Sequence, residues 1–453
     1  MPLRSHHRPN RRTARALLLT LGLVLGLGAA AGARAQSLQT LFDAARGYDA
    51  TFLSARASLD AAQYRLDQTY ALRRPSVGLA VSGSRSISQT PGASTQSTTS
   101  DVYGATVNGS QTLFNRANDK TIAQGEKSLE VARADFESAE QDLIVRVSQA
   151  YFDVLAAQDA LATAQSSLKA IAELVASAKR NFEVGTATIT DTREAQARYD
   201  LARAQEIQAE NDLRTKRIAL ASLVGKTDVE PRPLAQPVTL PAIEPDDAEA
   251  WVTTADADHP AIRKARLAYE VARLETEKAR AGGLPTLDAV ASAGISHSSG
   301  TGVLTSIPGS TKTATVGLEL NWPLYTGGSI QNRIKETLAL EDKARDDLQG
   351  AMRAVAQGTR VAFFDLQSGM AQVQALEAAE SSSKLALEAT QLGYKVGVRV
   401  NIDVLNSQTQ LYTTERDLAK ARYDVIVGGL KLRQAAGALG QGDVEAVNRL
   451  LAR

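Results

Sequence analysis

One long, unbroken helical pattern limits what this chain can fold into more than any other feature of its sequence. Between residues 118 and 183 there is no proline, and apolar residues recur about every 3.5 positions, the spacing of a left-handed coiled coil. Many of these positions are alanine, so neighbouring helices can approach closely. At about 1.5 Å per residue the helix would be roughly 100 Å long. A compact domain does not need such a helix, so we predict an elongated helical assembly.

The sequence also repeats itself at an offset of roughly 211 residues, with the matching segments in the same order. Residues 150–153 (AYFD) return as 362–365 (AFFD), and 182–185 (FEVG) return as 394–397 (YKVG). A duplicated unit is the simplest explanation.

The duplication predicts two structural repeats, at 36–229 and 248–453, joined by an extended connector. The connector, 230–247, contains five of the thirteen prolines. The predicted elements of the first repeat are a helix, strands at about 75–84 and 102–114, and long helices at about 118–183 and 188–224; those of the second are a helix at about 260–281, strands at about 285–297 and 314–325, long helices at about 329–395 and 400–437, and a C-terminal helix.

The first 35 residues have the composition of a secretory signal. Six arginines and no acidic residue accompany an apolar core at 16–31, which is followed by small residues at Ala33 and Ala35. We predict a signal peptide over 1–35, because a membrane anchor would need a longer apolar stretch with less glycine. Removing these six arginines from the 51 basic residues leaves 45 against 50 acidic residues. This balance predicts no nucleic-acid partner.

The numbers of cysteine and histidine residues argue against a metal site or a catalytic site. The absence of cysteine excludes disulfides, thiolate metal sites and a lipid anchor on an N-terminal cysteine. Of the four histidines, His6 and His7 fall in the predicted signal peptide, while His259 and His297 have no catalytic partner nearby in the sequence. We therefore predict no enzyme activity, no metal site and no cofactor.

Alternating apolar and polar residues predict the strands, and each predicted strand is about as long as a tilted strand that crosses a bilayer. The segments between paired strands, 89–100 and 298–313, are rich in Ser, Thr and Gly, as external barrel loops often are. A soluble hairpin remains an alternative for any one pair of strands, and a filamentous coiled coil for the helices. The alternation is clearest at Val316, Leu318, Leu320, Trp322 and Leu324.

Four strands are too few to close a membrane barrel, because the smallest single-chain barrels use eight. An open sheet in lipid would leave the hydrogen-bonding groups of its edges unsatisfied. We therefore predict an α+β membrane protein in which several chains share one barrel, with the long helices continuing as a bundle or tube.

Two segments of the second repeat resemble the TolC family of outer-membrane efflux and secretion ducts. Residues 284–296 are similar to the start of that family's third strand, and 393–423 resemble its last hairpin tip and helix. The resemblance extends over nearly all of 36–453, and the missing lipid cysteine is similar to the unlipidated branch. It implies a homotrimer with a twelve-stranded outer-membrane β-barrel, four strands per chain, continued through the periplasm by a long coiled-coil α-helical barrel.

The same resemblance implies roles for residues near the two turns between long helices. The turns would dock a periplasmic adaptor protein, and an Asp191–Arg399 bond with a hydroxyl contact to Tyr394 would hold the entrance closed. At the aperture the family has two acids, but the second position here is Asn406, which implies weaker blockage by multivalent cations. The residues are Val184, Gly185, Thr186, Val396, Gly397 and Val398 at the docking tips, Thr190, Asp191, Tyr394 and Arg399 at the gate, and Asp403 and Asn406 at the aperture.

Together these features predict a passive duct in the outer membrane, surrounded by outer-membrane lipid, with its helical part in the periplasm. The resemblance implies that it exports proteins by type I secretion, small toxic compounds, or both. Its implied partners are the adaptor and an inner-membrane transporter of ABC or RND type. The alternative is a structural coiled-coil tether that spans the envelope without a conducting lumen. Conductance of the purified oligomer separates the two.

Overall fold

The computed structural model describes residues 35–89, 97–300 and 309–452. Residues 1–34 of the predicted signal peptide and parts of the two predicted loops lie outside the described residues. The elements in chain order are α1 Leu38–Tyr48, α2 Ala50–Tyr70, β1 Ser76–Ser88, β2 Thr98–Phe114, α3 Arg116–Glu183, α4 Ile189–Val224, α5 Ala248–Asp258, α6 Pro260–Ala281, β3 Thr286–Gly300, β4 Gly309–Asn321, α7 Ser329–Lys395, α8 Asn401–Ala435 and α9 Gln441–Asn448.

The four strands form one antiparallel sheet in the order β1-β2-β3-β4. At the end next to the predicted loops 89–100 and 298–313, which we call the loop end, all four strands are longer than the sequence predicts. The pattern of apolar residues ends β1 near residue 84 and begins β2 near 102, whereas the two strands pair as far as Ser88 and Thr98. Pairing depends on backbone hydrogen bonds, which do not require apolar side chains, so polar segments also extend the ladder.

At its other end β4 is shorter than predicted. It stops at Asn321 instead of continuing to residue 325. Pro323 follows two residues later and has no backbone N–H to donate to a neighbouring strand. Trp322 and Leu324 therefore lie beyond the strand as exposed apolar residues.

The register gives the sheet two chemically different faces. Leu79, Val107, Ala293 and Ala314 lie side by side across the four strands on one of them, which we call the apolar sheet face. Its large side chains are exposed, and Val316 reaches 87% exposure. The opposite face consists mostly of Ser, Thr and Gly. A continuous exposed apolar face needs apolar surroundings, either lipid or another protein.

Two pairs of long helices make up most of the described chain. α3 has 68 residues and α7 has 67, so each is roughly 100 Å long. α3 begins two residues before the predicted start because Asn115 Oδ1 accepts hydrogen bonds from the backbone N–H groups of Ala117 and Asn118, at 3.0 and 3.2 Å. α3 packs against α4, α7 against α8, and α3 also contacts α8. None of the helices in the described ranges is both long and apolar enough to cross a membrane.

The first repeat begins with two helices where one was predicted, and the second repeat has an additional helix, α5, before the predicted helix at 260–281. In the first repeat Asp49 separates α1 from α2, because its Oδ1 accepts a hydrogen bond from Phe52 N at 2.8 Å and caps α2. In the second repeat His259 separates α5 from α6, and its Nδ1 accepts from Ala261 N at 3.1 Å. The sequence pattern did not predict α5.

A central core joins the start of the described chain, the connector and the C-terminal segment to α3. The Tyr151 hydroxyl lies 3.1 Å from the carbonyl oxygen of Gln36 and 2.9 Å from that of Arg232. Leu234 of the connector forms an antiparallel bridge with Leu451. Burial raises the pKa of Tyr151. The connector is therefore packed against the helices and fastens the two repeats together.

Candidate gate and docking site at the helical turns

The two turns between long helices have the same backbone geometry. We call Val184, Gly185 and Thr186 the first tip, and Val396, Gly397 and Val398 the second tip. The two glycines have φ angles of +78° and +81°, a left-handed conformation that side chains with a Cβ rarely adopt. A Cβ atom at either glycine would meet no other atom within 4 Å. Glycine is therefore needed for the turn itself and not for space.

The tips present apolar side chains to solvent. All three valines of the two tips that flank the glycines are exposed, and Val398 reaches 76% exposure. α3 leads directly from the sheet to the first tip, so the tips lie roughly 100 Å from the strands. Exposed valines at the far end of a long helix pair form a small apolar surface that a partner can cover.

The helices that leave the two tips begin differently. α4 begins with a capping box, in which Thr188 Oγ1 accepts from Asp191 N at 3.2 Å and Asp191 Oδ2 accepts from Thr188 N at 2.8 Å. α8 begins after Val400, which offers no side-chain cap. Thr190 lies exposed in the first turn of α4.

The predicted bond between Asp191 and Arg399 is not formed within the chain. Asp191 is occupied by the capping box, where it also accepts from Thr188 Oγ1 at 2.7 Å. Arg399 instead places its Nη1 3.6 Å from Asp403 Oδ2, one helical turn away. Both charged groups therefore have local partners, which are entropically easier to reach than a residue on another helix pair. The structure links a predicted gate residue directly to the predicted aperture residue.

Tyr394 connects the two helix pairs, as a hydroxyl contact at the gate would require, but through a different partner. Asn181 of α3 donates from Nδ2 to the Tyr394 hydroxyl oxygen at 3.3 Å. Tyr394 also packs against a small buried cluster that includes Leu387 and Val404. Sequence reasoning missed Asn181, because a single asparagine near a helix end carries no distinguishing pattern.

Asn406 makes a second connection between the helix pairs. Arg198 of α4 donates from Nη2 to Asn406 Oδ1 at 2.9 Å, and the two residues are 208 positions apart in the sequence. Arg198 was also missed, since only the packing of α4 near α8 brings it to this position. Arg399 thus lies beside Asp403, and Arg198 binds Asn406 one helical turn farther along α8.

The first half of α8 contains buried polar side chains that are poorly satisfied. Asn401 and Gln408 are each 4% exposed. Neither polar atom of the Asn401 side chain, nor Gln408 Oε1, has a hydrogen-bond partner within the described part of the chain. An unsatisfied buried polar group costs about 1–3 kcal/mol. These unsatisfied groups therefore lower the stability of the packing at the start of α8.

The residues near the tips form weak contacts between helices and do not form a reactive site. Across the ranges that the structure covers, no group of His, Asp and Glu side chains is placed to hold a metal ion. Burial lowers the pKa of His259, whose ring nitrogen is already used to cap α6. What the geometry provides is a set of exposed, weak links between two helix pairs beside an acidic residue.

Comparison with known proteins gives consistent matches over nearly the whole chain. The family model described as outer membrane efflux protein matches residues 41–226 and 251–438. The outer membrane protein TolC of Vibrio cholerae is 31% identical over 432 residues, which is 95% of this chain and 98% of that protein. The alkaline protease secretion protein AprF of Pseudomonas aeruginosa is 33% identical over 349 residues, covering 77% of this chain and 72% of that protein. The crystal structure of the outer membrane protein VceC of Vibrio cholerae superposes with a TM-score of 0.74 at 21% identity, covering 89% and 96% of the two chains.

Proposed function

Because this chain belongs to the outer membrane efflux protein family, we propose that it is a passive duct built from three copies, through which an inner-membrane transporter exports its substrates. The family gives the general class: the protein is an outer-membrane channel for efflux and secretion, and it is not an enzyme.

The observation that carries a barrel shared by several chains is the four-stranded sheet with one exposed apolar face. β1 and β4 are its edges, and each has a neighbour on one side only. In lipid an unpaired strand edge is very unfavourable, because no water is present to satisfy its N–H and C=O groups. Pairing β4 of one chain with β1 of the next removes every edge, and the three copies that the resemblance to the TolC family implies would supply twelve strands. The apolar sheet face then meets lipid, and the Ser, Thr and Gly face lines the bore.

The long helices continue that bore as a tube whose far end is gated at the tips. We infer that the links from Arg198 to Asn406 and from Asn181 to Tyr394 hold the two helix pairs together in the closed state. Both are single hydrogen bonds near solvent, each contributing about 0.5–1 kcal/mol. Repeated in three chains they are sufficient to favour closure, and weak enough for a docking partner to release.

The aperture is expected to favour cations. Asp403 contributes one carboxylate per chain, and three carboxylates facing one another attract cations and repel anions. Asn406 adds no charge, and Arg399 lies 3.6 Å from Asp403 and partly neutralises it. Blockage by multivalent cations should therefore be weaker than in a relative with two acids per chain.

The exposed tips are the proposed docking surface for a periplasmic adaptor protein, which would connect the duct to an inner-membrane transporter of ABC or RND type. The valines of the tips supply the apolar contact. Export of proteins by type I secretion is supported by the similarity to AprF, whose name describes secretion of alkaline protease. Export of small toxic compounds is supported by the efflux family itself.

The duct is tested by planar-bilayer recordings of the purified full chain, with the oligomeric mass measured on the same sample. We expect stepwise conductance from a trimer and cation selectivity that falls when Asp403 is replaced by alanine. Asp424→Ala, which removes an exposed acid farther along α8, is the matched control and should leave selectivity unchanged. A trimer without conductance would identify the structural tether and refute the duct.

A further inference from the structure

The apolar sheet face ends, on the side of the loops, in a row of polar side chains. Ile295 on β3 pairs with Lys312 on β4. His297, also on β3, pairs with Tyr103 on β2. Because Ile295 belongs to the apolar face, all of these side chains project from that face and not into the proposed bore. Arg85 and Asp101, which pair with each other on β1 and β2, continue the row. We call Lys312, His297, Tyr103, Asp101 and Arg85 the outward row.

The position of the row along the strands matches one boundary of the lipid. Lys312 and Trp322 are ten residues apart, roughly 34 Å along an extended strand. With the tilt of 35–45° usual in membrane barrels, this distance corresponds to a height of roughly 24–28 Å. The apolar band of such barrels is about 25 Å tall and is flanked by aromatic residues. Trp322 then lies at the helix-side boundary, and Tyr103 and Lys312 lie at the loop-side boundary.

The exposed charge of the outward row is positive. Arg85 donates from Nε and Nη2 to the two carboxylate oxygens of Asp101 at 2.6 and 2.8 Å. In this pair the arginine side chain is 66% exposed and the aspartate only 18%. Lys312 is exposed and forms no ion pair with any residue that the structure describes. Two outward cations are therefore opposed by one shielded carboxylate.

The neighbouring side chains are held in place by the sheet. A Cβ atom on Gly83 would lie 3.1 Å from the Tyr103 ring, so the ring packs over this glycine. His297 Nδ1 lies 3.1 Å from Ser310 Oγ, which is its cross-strand partner. Lys312 and His297 are diagonal neighbours, within about 7–8 Å at their β carbons. The row is thus a continuous surface with cations at both ends and an aromatic hydroxyl between them.

A lysine that faces lipid is costly at the middle of a bilayer and nearly neutral at its boundary, where its long side chain can reach the headgroups. The groups found at that boundary and complementary to two cations and a phenol are phosphates. We propose that the outward row binds phosphate groups of a lipid headgroup in the outer leaflet of the outer membrane, with Lys312 as the cationic contact that no carboxylate neutralises. This inference rests on the proposed function, because it requires the apolar sheet face to lie in the membrane.

Native mass spectrometry of the purified full-chain oligomer tests the inference. The probe is lipid A carrying two phosphates, compared with the same lipid from which both phosphates have been removed. We expect the phosphorylated lipid to bind at least about fivefold more tightly to the unaltered protein. Lys312→Gln should reduce that preference several-fold, and Lys312→Arg, which keeps the charge, should retain it.

Lys343→Gln is the matched control, because it removes one exposed lysine from α7, on the helical part of the chain. It should leave lipid binding unchanged. Equal binding of the two lipids, or an unchanged preference in Lys312→Gln, would overturn the lipid site. If the protein is still a trimer with normal conductance, the proposed duct is unaffected. Loss of the trimer and its conductance in the unaltered protein would instead overturn the duct, and the lipid site with it.

Discussion

At the residue scale, the contacts near the tips depend on which partner is nearest and not on charge alone. Asp191 and Arg399 carry opposite charges, but Asp191 serves the start of its own helix and Arg399 lies beside Asp403. The link that does join α4 to α8 uses a neutral acceptor, Asn406, and an arginine that no sequence pattern distinguishes. In the proposed gate such links would be reversible, because each of them exchanges readily with water.

Replacing Arg198 with alanine should favour the open state of the duct. The change removes one hydrogen bond per chain, and three bonds of about 0.5–1 kcal/mol each correspond to a shift of roughly 10- to 100-fold in the closed-to-open equilibrium. Single-channel recording of the open probability measures the effect. Arg203→Ala, an exposed arginine on the same helix, is the control and should not alter it. The gate link is refuted if both variants give the same open probability as the unaltered protein.

At the element scale, a single carboxylate divides the N-terminal helical segment in two. Asp49 caps α2 and is held by Arg146 of α3, whose Nη1 and Nη2 each donate to it at 3.0 Å. The hydrogen bonds from Arg146 are the main reason why the pKa of Asp49 lies below its ordinary value. The break between α1 and α2 is therefore fixed by a tertiary contact as well as by local capping.

This contact makes part of the stability depend on pH. Because the pKa of Asp49 is lowered in the folded chain, its contribution is complete above the ordinary carboxyl pKa of about 3.9 and is lost as the pH falls through the lowered value. Asp49→Asn keeps a capping oxygen but removes the charge, so we expect a loss of about 1.5–3 kcal/mol in the free energy of unfolding at neutral pH.

Denaturant unfolding followed by circular dichroism checks this expectation. The difference between Asp49→Asn and the unaltered protein should shrink as the pH falls below about 4. Asp142→Asn removes the more exposed acid that also contacts Arg146, at 2.6 Å, and should have a much smaller effect. A stability difference that stays constant with pH would show that the charge of Asp49 does not matter.

At the scale of the whole molecule, the sheet is incomplete, and the helices also leave apolar side chains such as Val361, Phe364 and Leu385 of α7 exposed. The helix pairs bury their shared seams within one chain, in clusters around residues such as Leu143, Phe152 and Leu430. The sheet buries neither face and has two free edges. Assembly is therefore expected to satisfy the strand edges and to cover the exposed apolar side chains of the long helices together.

Engineered disulfides can test that assembly directly, because the chain contains no cysteine. β1 and β4 of one chain are separated by two strands, about 14 Å, which is too far for a disulfide. Ser82→Cys on β1 should therefore crosslink only to another chain when Thr311, Thr313 or Thr315 on β4 is changed to Cys in turn. We expect one of the three combinations to give a ladder ending at three chains on a denaturing gel.

Asn108→Cys with Ser292→Cys is the control for this experiment. The two positions are directly paired between β2 and β3, so their disulfide should form within one chain and give no ladder. A ladder that stops at two chains, or no crosslink in any of the three combinations, would contradict the trimeric barrel.

The sequence alone determined the features that rest on local periodicity. The long helices, the alternating strands and the glycines at the two tips follow from the spacing of apolar residues and from the φ angles that only glycine adopts easily. The tertiary structure alone decided the loop-end extension of the strands, the contact of Arg146 with Asp49 and the contact of Arg198 with Asn406. These depend on which distant segments come together, and the energy of a backbone ladder or a single hydrogen bond leaves no periodic trace in the sequence.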